Sequence, residues 1–205
     1  MQKIIIIIAA PFLLIIALIA CDAGKRSSPA NEKIAANITK DSLIKRGAYL
    51  VSLMGCNDCH SPKKMGPAGP EVDEEKILSG HPADLPIPKI NPKEIQSWVL
   101  FNHMQTAVVG PWGVSFSANL TSDATGIGNW TEQQFFKAIR EGKYKGLDNT
   151  RPLLPPMPWQ DYAKAADEDL RAIFNYLKST KPVKNLVPSP ISPDAIAAGK
   201  DIRGN

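Results

Sequence analysis

The amino-acid sequence predicts an all-α domain interrupted by a long proline-rich loop. Three observations carry that expectation. Apolar residues recur at three- and four-residue steps in two distant stretches, 43–54 and 170–177, as on one face of an α-helix. Between 61 and 128 the chain carries eight prolines (Pro62, Pro67, Pro70, Pro82, Pro86, Pro88, Pro92, Pro111), which remove backbone donors and fix φ. No pair of alternating runs joined by a hairpin signature stands out.

The chain starts with a processing segment. Met1-Gln2-Lys3 is a short positive start, followed by an uncharged apolar run from Ile4 to Ala20 that ends in Leu18-Ile19-Ala20-Cys21. Leu-x-small-Cys is the lipobox pattern of bacterial lipoproteins, in which the cysteine is acylated and becomes the new N-terminus. An uncleaved membrane anchor is the alternative, and both place the rest of the chain outside the cytoplasm. Residues 1–20 therefore read as a lipoprotein signal peptide and Cys21 as the lipidation site. Residues 21–38, polar, small and basic, read as a flexible tether. The remaining chain is long enough for one domain, predicted over 39–183, with a tail over 184–205 whose prolines and glycines make it a poor candidate for core.

A first helix is expected over 41–54, capped by Asp41 or Ser42, with Leu43, Gly47, Leu50, Val51 and Met54 on one face. Gly47 costs helix propensity there, which points to close backbone packing. Within the loop-rich stretch, short helical turns are expected around 73–79 and 92–102. Thr131-Glu132-Gln133-Gln134 is a capping box, with Trp130 and Phe135 spaced as a hydrophobic staple, and the helix it opens should end at Gly142. Residues 151–159 (Arg-Pro-Leu-Leu-Pro-Pro-Met-Pro-Trp) cannot be helical. A last helix is expected over 167–180, with Leu170, Ile173, Phe174 and Leu177 inward and Lys178 near its negative end.

The first helix leads straight into Cys56-Asn57-Asp58-Cys59-His60. A Cys-x-x-Cys-His run is the attachment site of a c-type haem. The two thiols add across the vinyl groups of one porphyrin edge, and the adjacent histidine supplies the proximal nitrogen to iron. Zinc sites and thiol–disulfide centres share the Cys-x-x-Cys spacing, but neither requires the trailing His60. Lipid on Cys21 and haem on Cys56 and Cys59 account for all three cysteines. Only one such motif is present, so one covalent haem is expected.

The second axial position has five candidates: Met65, His81, His103, Met104 and Met157. Met157 is best placed, between two helices and stiffened by Pro155, Pro156 and Pro158. A thioether favours reduced iron and suits an electron carrier. A carbonyl in Gly66-Pro67 or Gly69-Pro70 is the expected acceptor for the other nitrogen of His60. The net charge of +4 is spread along the chain with no basic stripe interleaved with aromatics, so nucleic-acid binding has no support.

These parts resemble a class I cytochrome c: helix, Cys-x-x-Cys-His, intervening helices, methionine loop, helix. Gly47 with Val51, and Ile173 with Tyr176, match that family's helix-crossing positions. A closer resemblance over 47–183 is to the cytochrome subunits that accept electrons from membrane-associated alcohol, aldehyde and sugar-acid dehydrogenases. It rests on Arg46-Gly47-Ala48-Tyr49-Leu50, Ala118-Asn119-Leu120-Thr121-Ser122-Asp123, Thr125-Gly126-Ile127-Gly128-Asn129-Trp130, Leu154-Pro155-Pro156-Met157-Pro158-Trp159 and Asp167-Glu168-Asp169-Leu170. Those subunits commonly carry three haem domains, whereas this chain has a motif for one. The resemblance implies a class I fold with the proline-rich stretch inserted between the haem motif and the methionine loop.

The expectation is a lipid-anchored, single-haem electron carrier, not itself an enzyme. It would sit on the periplasmic side of a bacterial membrane and pass electrons between a dehydrogenase and the respiratory chain. Two rivals are a five-coordinate haem sensor or enzyme, with His103 or Arg151 on the distal side, and an assembly subunit that the haem merely staples. Asn119-Leu120-Thr121 fits a glycosylation acceptor but reads as a loop held by its own polar side chains.

Overall fold

A computed structural model describes residues 39–198. The expected signal peptide, the expected tether and Cys21 lie outside the described residues. The first helix, α1 (Lys40–Leu53), starts one residue earlier than expected, because Thr39 rather than Asp41 or Ser42 is the cap: its hydroxyl accepts the Ser42 N–H at 3.2 Å. A five-residue helix, α2 (Cys56–His60), follows through Gly55. The capping box forms as expected, with the Thr131 side chain accepting from Gln134 N–H and the Gln134 side chain accepting from Thr131 N–H. It opens α3 (Glu132–Glu141), which ends at a left-handed Gly142. A single turn, α4 (Trp159–Tyr162), precedes α5 (Asp167–Ser179), and α6 (Pro193–Ala197) closes the described chain.

The helices α1 and α5 cross at Gly47. A Cβ at that position would stand 2.0 Å from the Ala172 carbonyl oxygen and 2.6 Å from the Tyr176 Cβ, so only glycine allows the two backbones to touch. Around the crossing, Leu50, Val51, Leu78, Ile127, Phe135, Leu170, Ile173, Phe174 and Leu177 form the main core, and the Phe135 and Phe174 rings meet at 5.4 Å.

The all-α expectation fails in the proline-rich stretch. It contains two antiparallel sheets as well as the two short 3-10 turns, Glu74–Lys76 and Glu94–Gln96. The first sheet is a hairpin, β1 (Lys63–Gly66) on β2 (Gly69–Val72), with Gly66 opposite Gly69 across Pro67-Ala68. The second holds β3 (Leu100–Phe101), β4 (Ala107–Gly110) and β5 (Gly113–Phe116) in the order β3-β4-β5. Its tight turn is Pro111-Trp112, again bracketed by glycines in register. The signal was a pair of Gly-x-x-Gly turns, the second of them flanked by valines. It was hidden because the strands are at most four residues long, and β4 is buried on both faces, which removes the alternation that marks a half-exposed strand.

The tail also departs from expectation. Ile191 pairs with Val114 through two backbone hydrogen bonds (2.8 and 3.0 Å), covering the outer edge of β5. Ile196 joins Ile95, Val109 and Val114 in a second, smaller core. Two isoleucines among polar and proline residues lack the periodicity that would announce them, but two contacts suffice to cover a sheet edge.

Candidate haem-binding site

Cys56, Cys59 and His60 stand on one five-residue helix, which places the three side chains at i, i+3 and i+4. Three contacts hold that helix. The Tyr162 hydroxyl donates to the Met54 carbonyl at 2.7 Å, just ahead of the motif. Lys63 reaches back over the far end, its ammonium donating to the carbonyls of Asn57 (3.3 Å), Asp58 (2.8 Å) and Ser61 (2.7 Å). Those carbonyls cluster at the C-terminal end of the helix, where a cation is favoured. Desolvation holds the Lys63 pKa below its ordinary value against the pull of Asp58 and Cys59. The third contact is a hydrogen bond from Gly80 N–H to the His60 carbonyl at 2.8 Å.

The His60 ring is buried, and its Nδ1 lies 2.7 Å from the Ala118 carbonyl oxygen. A carbonyl can only accept, so Nδ1 carries the proton and Nε2 keeps its lone pair. Burial, the larger effect, lowers the ring's pKa, while the Ala118 bond acts in the opposite sense. The ring is thus neutral and oriented as an iron ligand must be. The acceptor is not in Gly66-Pro67 or Gly69-Pro70, as expected from proximity in sequence, because β1 and β2 fold those residues into the hairpin turn. It lies 58 residues further on, in the Ala118-Asn119-Leu120-Thr121 stretch.

Both cysteines are free thiols and partly buried. Burial pushes Cys56 up to about 11, and burial with the charge of Asp58 also raises Cys59. A thiol–disulfide centre needs the opposite, a thiol depressed toward the thiolate. Among the described residues no group of three His, Cys, Asp or Glu side chains comes together as a metal cage. Two thiols and one imidazole on a single short helix fit a porphyrin, which brings its own four nitrogens and would take two thioethers and one axial nitrogen from the protein.

The candidates for the sixth ligand scatter. Met65 is 78 % exposed on β1, and His103 is exposed in the turn before β4. Met104 is half-buried in the same turn. His81 is fully buried, but its ring contacts the Thr106 hydroxyl at 2.9 Å and the Leu85 carbonyl at 3.4 Å and packs on Phe116, so both nitrogens are engaged. The Arg151 guanidinium lies over the Tyr144 ring, 4.0 Å from its centre. Met157 is half-buried in a loop anchored on both sides. Before it, the Ser115 hydroxyl donates to the Pro155 carbonyl at 2.6 Å; after it, Tyr162 bonds to Met54, two residues ahead of Cys56. Asn119 and Thr121 are 4 % and 0 % exposed, with their polar atoms bonded inside the protein, so Asn119 is a structural residue.

No protein-family model matches the chain. Individual relatives do. Over 144 residues, 70 % of this chain, it is 31 % identical to the gluconate 2-dehydrogenase cytochrome c subunit of Pantoea cypripedii, of which the match covers 24 %. Over 145 residues it is 30 % identical to the cytochrome c subunit of the quinone alcohol dehydrogenase of Gluconobacter oxydans, covering 70 % of this chain and 23 % of that one. The fructose dehydrogenase cytochrome subunit of Gluconobacter japonicus is 39 % identical over 87 residues, 41 % of this chain and 17 % of the relative. The chain thus spans about a quarter of the length of the first two of these relatives. It is homologous, over most of its own length, to cytochrome c subunits of dehydrogenases.

Proposed function

We propose that this relative of dehydrogenase cytochrome c subunits is a single-haem electron carrier, with thioethers from Cys56 and Cys59 and axial ligands from His60 and Met157. The observation that carries this reading is the His60 ring: buried, neutral, with Nδ1–H donated to Ala118 and Nε2 left as the coordinating nitrogen, on the same short helix as both thiols. The relatives are named as cytochrome subunits of dehydrogenases, which supports a carrier over a catalyst. When bound, the haem supplies the chemistry, a one-electron change at iron.

The protein's part is to hold and to shield. Lys63 and Tyr162 brace the two ends of the attachment helix, so the ligand geometry can stay the same in both oxidation states. A thioether from Met157 would favour the ferrous state and raise the potential. Electrons would pass from a dehydrogenase to the respiratory chain, on the periplasmic side of a membrane and with Cys21 acylated. No described helix is long and apolar enough to cross a membrane.

Intact-mass spectrometry of the full chain matured with covalent haem should show a single adduct. Met157→Ala should then abolish the weak far-red sulfur–iron band, open the iron to carbon monoxide and lower the potential, while Met65→Ala changes none of these. A wild-type protein without the band that binds carbon monoxide readily would overturn the carrier reading in favour of a five-coordinate haem.

A further inference from the structure

His60 is tied to the protein twice, by its backbone carbonyl to Gly80 N–H and by its ring to the Ala118 carbonyl, and both ties converge on one glycine. Residues 78–81 run beside 117–120, joined by Leu120 N–H to Leu78 O (2.8 Å) and His81 N–H to Ser117 O (2.9 Å). At the centre of this contact Gly80 has φ +78°, a conformation that favours glycine. A Cβ there would lie 2.5 Å from the Ser117 carbonyl oxygen and 2.6 and 2.7 Å from the Ala118 carbonyl carbon and oxygen. All three neighbours are backbone, so none can swing aside as a side chain would. The peptide that would be displaced is the one that accepts the His60 proton.

The opposite flank of this segment is held by Asn185, in the stretch that the sequence assigns to the tail. Its side-chain amide donates to the carbonyls of Ser79 (2.7 Å) and His81 (2.9 Å), bracketing Gly80, and its side-chain oxygen accepts Ala83 N–H at 3.0 Å. Its own N–H donates to the Thr125 hydroxyl at 2.9 Å, and its carbonyl accepts from Asn119 at 3.3 Å. Asn185 therefore links the segment on one side of the Ala118 carbonyl to the residue immediately after it.

We propose that Gly80 and Asn185 are positioning residues for the proximal histidine, fixing the Ala118 carbonyl against His60 Nδ1 and so setting the reduction potential of the bound haem. This rests on the haem reading above. A carbonyl held at hydrogen-bond distance makes the imidazole a more basic ligand, which stabilises ferric iron. Moving it away weakens that donation, and the potential rises.

The test uses the full chain with covalent haem, its loading established by mass, and two readouts: potentiometric titration, and exchange of the His60 Nδ1 proton followed by NMR of the reduced form. Gly80→Ala should raise the potential and speed that exchange by about tenfold, the loss of one ordinary hydrogen bond. Asn185→Ala should move both in the same direction by less. Gly69→Ala is the control, since Gly69 also has a positive φ (+123°) but nothing within 4 Å of an added Cβ; it should move neither. If Gly80→Ala takes up no haem, Asn185→Ala decides alone. Loaded variants with wild-type potential and exchange, or a Gly69→Ala shift equal to that of Gly80→Ala, overturn this proposal. A wild-type chain that carries no covalent haem overturns the haem reading and this proposal with it.

Discussion

The helical frame and the sheeted segment divide the work on His60 differently. Helices α1, α3 and α5 pack through a continuous apolar core around the Gly47 crossing, and α1 hands the chain directly to the attachment helix. The segment from β1 to β5 contributes three buried residues, Ile95, Val109 and Val114, to a small core that Ile196 of the tail completes, and it depends on the tail to cover its edge. Yet the Gly80 tie and the Ala118 carbonyl come from that segment and its end. The frame carries His60 and the weaker region orients its ring. A site built this way can change its tuning without disturbing the crossing that holds the domain together.

The largest effect expected is at that crossing. Helix propensity alone would favour replacing Gly47, by a few tenths of a kcal/mol for valine. Gly47→Val would instead drive side-chain carbons into the Ala172 carbonyl and Tyr176, and overpacking of that kind costs about 3 kcal/mol. Chemical denaturation should show a loss of that size; a gain would mean that the two helices do not touch as described. Less severe, Ile196→Ala should cost about 2 kcal/mol, the low end for a buried isoleucine, because the small core can partly collapse. Hydrogen exchange should localise the loss to the amides of β4 and β5, leaving α1 and α5 protected. Equal loss of protection in both regions would show that they open as one unit.

The smallest effect is a pH dependence carried by His81. Its ring is fully buried against Thr106, Leu85 and Phe116, and burial lowers its pKa, with the Leu85 carbonyl and Asp84 acting the other way. The folded state thus prefers the neutral ring. Its contribution to stability is complete above the ordinary histidine value of about 6.5 and is lost as pH falls toward the lowered pKa. Urea midpoints should fall on acidification from pH 7.5 to 5, and the fall should be shallower in His81→Gln. An identical slope in the variant would remove His81 from the account.

The helices and the attachment motif could be read from the chain because both are local. A 3.6-residue period, a Thr-x-x-Gln capping box and a Cys-x-x-Cys-His spacing each lie within a few turns of backbone, so the residues that cause the structure are neighbours in sequence. The two hairpins were equally local in their Gly-x-x-Gly turns, but short strands in a proline-dense stretch carry too little alternation to separate them from loop. What orients the site had no local signature. The Ala118 carbonyl meets His60 across 58 residues, Asn185 reaches Ser79 across 106, and Tyr162 reaches Met54 across 108. Each is an ordinary residue whose role exists only where its partner is brought. The sequence was sufficient to nominate which atoms could bind a haem, since bond chemistry belongs to residue types. How those atoms are aimed and tuned required the folded chain, since hydrogen bonds act over about 3 Å and only packing determines which distant groups come that close.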